Sequence, residues 1–384
     1  MARVEVDPNF SNPTFSRATA ATDLFKKEDV QNLAAAVSTH THANGYGPAV
    51  ARVAAGAIDA AAIPDGLITS AKIADGTIAT ADLANAAVTN IKLASDTARA
   101  NLLTNGGFEI WQRGNGPFTS LFTADRWQIG TTGSDTLSVS RNSANAENGT
   151  YCAACTFTLG SGAGATYLGQ KIEDVNQVRN RIITFSMRVY VTTANIIRLG
   201  IYTGSSYTYG AFHPGTGYQT ISVTATIENS PGSVFANVFF AASCTAYLDN
   251  AMLVVGPVAA DYAPLHPADD LARCLRYYER FDVSNTQALI GALQAYAATD
   301  VNGVLLYKVT KAVSPTVTYS AASTFAMTTS GGGTQAVTAI SSFNVLTDHV
   351  QVHPQTASGL VAGNATMLIA AAGQNASVQI EANP

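Results

Sequence analysis

The chain has 384 residues, enough for two or three domains. Charged residues make up 12% of it, about half the share that soluble domains usually carry. No uninterrupted run of 18 apolar residues occurs, which excludes a transmembrane helix. The net charge of −5 argues against nucleic acid binding, and the first residues, MARVEVDPNFSNP, lack the apolar segment of a secretion signal. So few charges favour a surface that is partly hidden by self-association.

The N-terminal segment predicts an arm followed by a short helix. Residues 1–21 are rich in Pro and Asn and show no periodicity, which is typical of an extended arm. Val30, Leu33 and Val37 then recur at spacings of three and four, the narrow apolar seam of a coiled coil. One helix of about 14 residues is marginal alone in water, so we expect it to pack against other copies.

The next stretch repeats every ten residues. It reads GAIDAAAIPD, GLITSAKIAD, GTIATADLAN and AAVTNIKLAS over residues 56–95. An apolar residue stands at every fifth position: Ile58, Ile63, Ile68, Ile73, Ile78, Leu83, Val88 and Leu93. This spacing predicts short strand-and-turn units stacked along an axis. Three chains around a shared axis, or one chain wound as a solenoid, could bury these rows; we favour the trimer because forty residues make a poor solenoid without caps.

From residue 101 the pattern is that of β-strands. Alternating runs of six to nine residues, separated by Gly, Asn and Pro, predict an antiparallel β-sandwich over residues 101–265. A second β-rich region, predicted as another sandwich, fills residues 266–384 and includes a glycine-rich loop, TTSGGGT, at 328–334. The predicted fold class is therefore mainly β.

The four cysteines predict no redox or zinc chemistry. Cys152 and Cys155 form a CxxC in a strand-like run. Because residues three apart on a strand face opposite sides, one metal ion cannot easily hold both. Cys244 and Cys274 also lack partners at ligand spacing, so all four are expected to be ordinary, partly buried thiols.

Two pairs of motifs resemble a known family. Residues 101–113, NLLTNGGFEIWQR, and 123–127, TADRW, resemble a module of bacteriophage tail-fibre and receptor-binding proteins, and the opening is also similar to jelly-roll carbohydrate-binding modules. The segments YLDNAMLVVG at 247–256 and RCLRYYE at 273–279 resemble the end of that module and the junction after it. Val255 departs from the family pattern, which has an acidic residue there.

The resemblance implies a homotrimeric virion fibre that adheres to a host surface polysaccharide. Residues 1–55 are then a virion-attachment arm with the short helix and a His-x-His turn, and residues 56–100 a repeat shaft. Residues 101–265 form the jelly-roll domain, and residues 266–384 a C-terminal β domain. Residues 1–21 are expected to bind a phage tail or head protein, with no nucleic acid partner and no membrane insertion. The resemblance also implies that the fibre is made in the host cytoplasm and becomes a tail or head fibre of the virion.

Aromatic residues supply the candidate ligand site. Trp111 and Trp127 lie in the fold-signature motifs, where a large ring fills the sandwich core. Residues 202–218 instead gather aromatic anchors among Gly and Ser, as adaptable binding loops do. The candidates are Tyr202, Tyr207, Tyr209, Phe212, His213 and Tyr218. The alternative is an ordinary hairpin with cross-strand aromatic pairs.

Histidines supply the one metal candidate. His40 and His42 point the same way in an extended chain. A trimer would bring six imidazoles around its axis, an octahedral set suited to Fe²⁺, Ni²⁺ or Zn²⁺, and similar pairs bind metal in some phage fibres. The alternative is two solvent-exposed side chains. No other cofactor is expected, and His349 and His353 are predicted to be surface residues.

The sequence does not predict an enzyme. GxSxG, HExxH, Walker A and a Rossmann GxGxxG are missing from it. The carboxylates Glu109 and Asp125 belong to fold-signature motifs, and Glu173 and Asp174 to a predicted turn. Three classes stay open: an adhesion fibre, a purely structural head or collar decoration, and a glycan depolymerase or secreted adhesin.

The repeat shaft yields the first prediction. Replacing Ile68, Ile73 and Ile78 by Asp places three charges per chain in the axial core of the trimer, where each unpaired buried charge costs several kcal/mol. We therefore expect sedimentation of the variant to show monomers or aggregates in place of trimers. A variant that stays trimeric with an unchanged melting temperature contradicts the shaft.

Overall fold

The computed structural model describes residues 63, 65–83, 100–161, 165–284 and 289–383. The chain divides into two compact units, Met1–Leu83 and Ala84–Pro384. The predicted arm and helix, His40 and His42 all lie outside the described residues, as do residues 84–99 of the predicted shaft.

The described repeats consist of turns and short 3₁₀ helices. The helices are Ser70–Lys72 and Thr80–Asp82, ten residues apart. Before them, Gly66 and Gly76 adopt φ of +78° and +77°, the left-handed region that glycine favours. The predicted turns are therefore present in residues 65–83, whereas 3₁₀ helices stand where short strands were predicted between them.

The apolar rows of these repeats are exposed within their own unit. The exposed fractions are 36% for Ile63, 54% for Ile68, 40% for Ile73, 54% for Ile78 and 46% for Leu83. The turns and 3₁₀ helices of one chain thus leave the rows open to solvent. Self-association of the chain, which would cover these rows, remains a prediction.

Residues 100–265 form the predicted antiparallel β-sandwich. One sheet has six strands in the order β1 (Leu121–Phe122), β2 (Gln128–Gly130), β5 (Tyr167–Lys171), β10 (Phe235–Phe240), β7 (Ile197–Tyr202) and β8 (Tyr207–Phe212). The other has five, in the order β3 (Thr136–Asn142), β4 (Cys152–Thr158), β11 (Cys244–Val255), β6 (Ile182–Val191) and β9 (Gly217–Thr226).

One hydrophobic core lies between the two sheets. Leu199 and Val238 enter it from the six-stranded sheet, and Phe185 and Leu248 from the five-stranded sheet. Each of these side chains is fully buried. Alternation along the strands thus gives every strand one face toward the core and one face away from it.

The two tryptophans belong to this core, as predicted. Trp127 is fully buried and stacks on Phe108 with ring centroids 4.7 Å apart. Trp111 is 7% exposed, and its indole N–H donates to the Phe108 carbonyl. The fold-signature motifs therefore build the core and do not offer a ring to a ligand.

The cysteines are free thiols, as expected. Cys152, Cys155 and Cys274 are buried and Cys244 is half-buried. Burial raises the pKa of the Cys152 thiol to about 12 and that of Cys244 to about 11. A thiol with so high a pKa is a poor nucleophile at neutral pH.

The C-terminal region combines one helix, a small sheet and a closed barrel. Helix α1 (Pro267–Leu275) leads into a sheet ordered β12 (Tyr278–Ser284), β20 (Asn375–Glu381) and β15 (Thr316–Tyr319). The barrel strands are β13 (Leu289–Ala295), β14 (Val301–Leu306), β18 (His349–Thr356), β17 (Thr334–Phe343), β16 (Phe325–Thr328) and β19 (Ala365–Ala370). The predicted C-terminal sandwich is therefore wrong: β13 pairs with both β14 and β19, and this closure leaves no free edge.

Stacked arginines join the sandwich to the C-terminal region. The Arg113 guanidinium lies 3.7 Å from the ring centroid of Tyr278, and that of Arg126 lies 3.7 Å from the centroid of Tyr277. Arg113 also forms an ion pair with Glu381. The motifs at 101–113, 123–127 and 273–279 therefore meet in one junction.

A buried ion pair lies on the C-terminal side of this junction. Lys311 Nζ donates to Glu279 Oε2 at 2.6 Å and to the Leu275 carbonyl at 2.6 Å. Both charged side chains are fully buried. Lys308 contacts the same carboxylate at 3.7 Å, but its side chain is 59% exposed.

This arrangement gives the second prediction. Lys311→Met leaves the Glu279 carboxylate buried without its main partner, so we expect the free energy of unfolding to fall by about 3–5 kcal/mol. The matched variant Lys308→Met removes a solvent-exposed partner of that carboxylate and should cost less than about 1 kcal/mol. Urea denaturation of both variants measures the difference; equal effects contradict the assigned role of Lys311.

Candidate functional site

The outward face of the six-stranded sheet is rich in aromatic side chains. On β10, Phe235, Asn237 and Phe239 alternate with core residues and so point away from the core. The register sets Phe239 beside Tyr167 of β5, and Phe235 beside Tyr202 of β7. Side chains from neighbouring strands therefore meet on this face.

Six rings on this face form what we call the aromatic platform. Its members are Tyr167, Tyr202, Tyr207, Tyr209, Phe235 and Phe239. Tyr207 and Tyr209 are stacked with centroids 5.7 Å apart, and Phe239 meets them edge-on at 5.2 and 5.3 Å. Tyr202 lies 5.1 Å from Tyr207 and 6.1 Å from Phe235, and Tyr167 lies 5.7 Å from Phe239. The rings support one another as a continuous layer.

Three glycines allow these rings to lie close over the strands. A Cβ on Gly200 would come within 2.8 Å of the Phe239 ring and 3.1 Å of the Tyr209 ring. A Cβ on Gly130 would collide with the Tyr167 ring, and one on Gly169 with the Asn237 amide. The platform therefore depends on the missing side chains of β2, β5 and β7.

Polar groups are set into the platform and at its edge. The fully buried Asn237 donates through Nδ2 to the Tyr207 hydroxyl at 3.0 Å. Burial raises the pKa of Tyr207 to about 12, so the phenol stays neutral at physiological pH and keeps its proton to donate. The Arg198 guanidinium lies 3.9 Å from the Tyr209 ring centroid and 4.9 Å from that of Phe212.

Part of the platform faces solvent. Tyr209 is 42% exposed, and Tyr167, Tyr202, Tyr207 and Phe235 are half-buried. Phe239 lies beneath them, only 6% exposed. The surface thus offers flat apolar rings beside phenol hydroxyls and a guanidinium, which suits a ligand with an apolar face and a rim of hydrogen-bonding groups.

The structure brings only part of the predicted site together. Tyr202, Tyr207 and Tyr209 lie on the platform, and Phe212 ends β8 beside Arg198. Their shared strands, β7 and β8, form a hairpin of the six-stranded sheet.

His213 and Tyr218 do not belong to this surface, which corrects the prediction. His213 is fully buried; its Nε2 lies 2.9 Å from the Val189 carbonyl and its Nδ1 accepts from the Gly215 amide. Tyr218 lies on β9, in the other sheet, and donates to the Asn145 carbonyl at 2.6 Å. The chain crosses between sheets after β8, so this aromatic segment is divided between two surfaces.

Sequence reasoning missed half of the platform. Tyr167, Phe235 and Phe239 are platform rings that lie outside residues 202–218 in the chain. The polar residues beside the platform, Asn237 and Arg198, also lie outside that segment. One signal was present: Phe235, Asn237 and Phe239 alternate with Ala236 and Val238. On a strand, such alternation puts Phe235, Asn237 and Phe239 on one face, and the structure shows that this face points away from the core.

The described part of the chain shows neither a metal-ligand cluster nor a membrane-spanning helix. No group of three or more His, Cys, Asp or Glu that could hold a metal ion occurs among them. In the same part of the chain, no helix is long and apolar enough to cross a membrane. His349 and His353 are half-buried on β18, where His353 lies 3.3 Å from the Asp300 carboxylate.

Comparison with solved structures finds carbohydrate-binding modules and a phage tailspike. The CBM22-1 xylan-binding domain of Paenibacillus barcinonensis Xyn10C is 15% identical, with a TM-score of 0.31, over 43% of this chain and 100% of that domain. TmCBM61, solved with β-1,4-galactotriose, is 17% identical, with a TM-score of 0.28, over 41% of this chain and 99% of that module. The enzymatically active domain of tailspike protein 4 from bacteriophage CBA120 is 12% identical, with a TM-score of 0.30, over 41% of this chain and 21% of that domain. No protein-family model and no curated protein sequence matches the chain.

The glycine beneath the platform gives the third prediction. Gly200→Ala inserts a methyl group under Phe239 and Tyr209, and such overpacking typically costs about 1–3 kcal/mol. We expect a lower free energy of unfolding and an altered near-ultraviolet circular dichroism spectrum. Gly232→Ala is the matched control, because nothing lies within 4 Å of its added Cβ; if both variants match the parent protein, the rings do not rest on Gly200.

Proposed function

We propose that this protein is a bacteriophage virion fibre whose sandwich domain adheres to a host surface polysaccharide through the aromatic platform. The observation that supports it is the layer of six rings over Gly130, Gly169 and Gly200. The proposal assigns binding without catalysis, since the platform's polar groups are phenols, an amide and a guanidinium, which bind hydroxyls and leave the glycosidic bond intact.

A sugar ring matches this surface chemically. A pyranose presents C–H groups on its faces and hydroxyls around its rim. The faces of Tyr209 and its neighbours can bury the C–H groups. The Tyr207 hydroxyl, held by Asn237, and the Arg198 guanidinium can bind the hydroxyls.

The extent of the platform favours a chain of sugars over a single one. Its rings come from β5, β10, β7 and β8, four neighbouring strands. At about 4.8 Å between strands, the platform spans roughly 14 Å from Tyr167 to Tyr209. An extended polysaccharide crossing the strands could therefore contact several rings at once.

Fibre assembly would supply the strength that one platform lacks. A single sugar site of this kind is expected near millimolar affinity, about −4 kcal/mol. Three platforms on a trimer, and several fibres on a particle, can raise avidity by about 10²–10⁴ without any new contact. The exposed Ile rows of residues 63–83 support this assembly, and the arm at residues 1–21 is its proposed attachment to the virion.

The proposal is tested with single alanine variants. Tyr209→Ala removes the most exposed ring of the platform and should weaken binding to the recognised polysaccharide at least about tenfold, or 1.4 kcal/mol. Tyr247→Ala removes a half-buried ring from the outward face of the five-stranded sheet and should leave binding unchanged. The measurement is binding of the full-length protein to an array of bacterial capsular and O-antigen polysaccharides, followed by titration of the hit.

Three outcomes of this experiment count against the proposal. Equal losses for Tyr209→Ala and Tyr247→Ala contradict the assignment of the platform. A folded Tyr209→Ala protein that binds like the parent places recognition elsewhere. Binding to no polysaccharide by the parent protein favours a decoration fibre without a receptor role.

A further inference from the structure

The outward face of the five-stranded sheet holds a cavity of about 480 Å³. It lies on the opposite side of the sandwich from the aromatic platform. Its lining residues include Glu147, Asn148, Ser186, Arg188, Thr220, Asn250 and Tyr262. Small-molecule sites usually occupy about 300–1,000 Å³, so the cavity has the size of a ligand pocket.

An irregularity in β11 shapes the cavity. The pairing of β11 with β6 shifts register between Asp249 and Met252, and Asn250 there adopts a φ of +52°. The fully buried Asp249 carboxylate accepts from the backbone N–H of Glu147 at 2.9 Å and of Asn250 at 2.7 Å. This carboxylate ties the loop after β3 to the irregular strand and so fixes one side of the cavity.

The opposite walls are also held in place. The Arg188 guanidinium pairs with both carboxylate oxygens of Glu147 and lies 3.4 Å from the Thr220 hydroxyl. Tyr262 and Ala260 pack with Met252 and Val254 in a small apolar cluster. The cavity is therefore preformed and does not need a ligand to order its walls.

One polar atom of the lining residues is left without a partner. Asn250 is 5% exposed, and its side-chain Oδ1 receives no hydrogen bond from any residue that the structure describes. An unsatisfied buried carbonyl is costly. Because Asn250 lines the cavity, a ligand hydroxyl bound there could supply the missing donor.

We propose that this cavity is a second binding site, for a single neutral sugar or similar polyol. Its lining combines hydroxyls, the amides of Asn148 and Asn250, and the paired Arg188 and Glu147, which match the mixed donors and acceptors of a polyol. The Arg188 charge is already paired with Glu147, so the guanidinium is not free to bind an anionic ligand. The site would bind one sugar unit, such as a branch or chain end, independently of the platform.

The probe is a panel of neutral monosaccharides, offered to the full-length protein and followed by saturation-transfer NMR and calorimetry. Asn250→Gly keeps the left-handed backbone permitted and removes Oδ1, so we expect at least about tenfold weaker binding of the sugar that the parent protein binds. Thr220→Tyr fills the cavity mouth and should abolish that binding. Thr226→Tyr, on the same exposed face of β9, is the matched control.

The outcomes separate this site from the platform. A monosaccharide held in the cavity is lost in Asn250→Gly and Thr220→Tyr and kept in Tyr209→Ala; loss in Tyr209→Ala alone places the sugar on the platform and overturns the inference. The inference is overturned if the parent protein binds no sugar of the panel. It is also overturned if Asn250→Gly and Thr220→Tyr, both folded by circular dichroism, bind the sugar as the parent does.

Discussion

The alternation of side chains along each strand is the constraint on which this structure depends. A shared core takes one face of every sandwich strand, through residues such as Leu199, Val238 and Phe185. The other face is then free to hold side chains that stability does not dictate. Both proposed sites use that freedom: the platform on the six-stranded sheet and the cavity on the five-stranded sheet.

The junction explains why the fold-signature motifs carry so many polar residues. Arg113 and Arg126 stack on Tyr278 and Tyr277, while Asp125 accepts from the Gln112 backbone at 3.1 Å. Burial raises the pKa of Asp125 to about 6, so its ionisation at neutral pH opposes folding, and the surrounding donors offset part of that cost. These residues form a structural joint between the sandwich and the C-terminal region.

The two outward faces of the sandwich suit different parts of a glycan. The platform is broad, built from rings, and crosses four strands, so it favours contact area over individual hydrogen bonds. The loop anchored by Asp249 forms one side of the cavity, and the lining groups are mainly polar. Under the two proposals, one domain binds along a polysaccharide and discriminates a single unit of it.

Strand alternation and aromatic content were enough to predict a mainly β fold from the sequence. Strand alternation, the ten-residue repeat and the buried signature of Trp111 and Trp127 are local or compositional features, readable from neighbouring positions. Half of the platform could also be found, because Tyr202, Tyr207 and Tyr209 share one hairpin.

Which aromatic side chains contact one another depends on the tertiary structure. Tyr167 and Phe239 lie 72 positions apart in the sequence and meet because β5 and β10 are neighbours in the sheet. His213 and Tyr218 lie close to the platform residues in the sequence, but the first turns inward and the second joins the other sheet. The closure of the C-terminal barrel was likewise hidden, because strand pairing joins segments whose separation along the chain has no local signal.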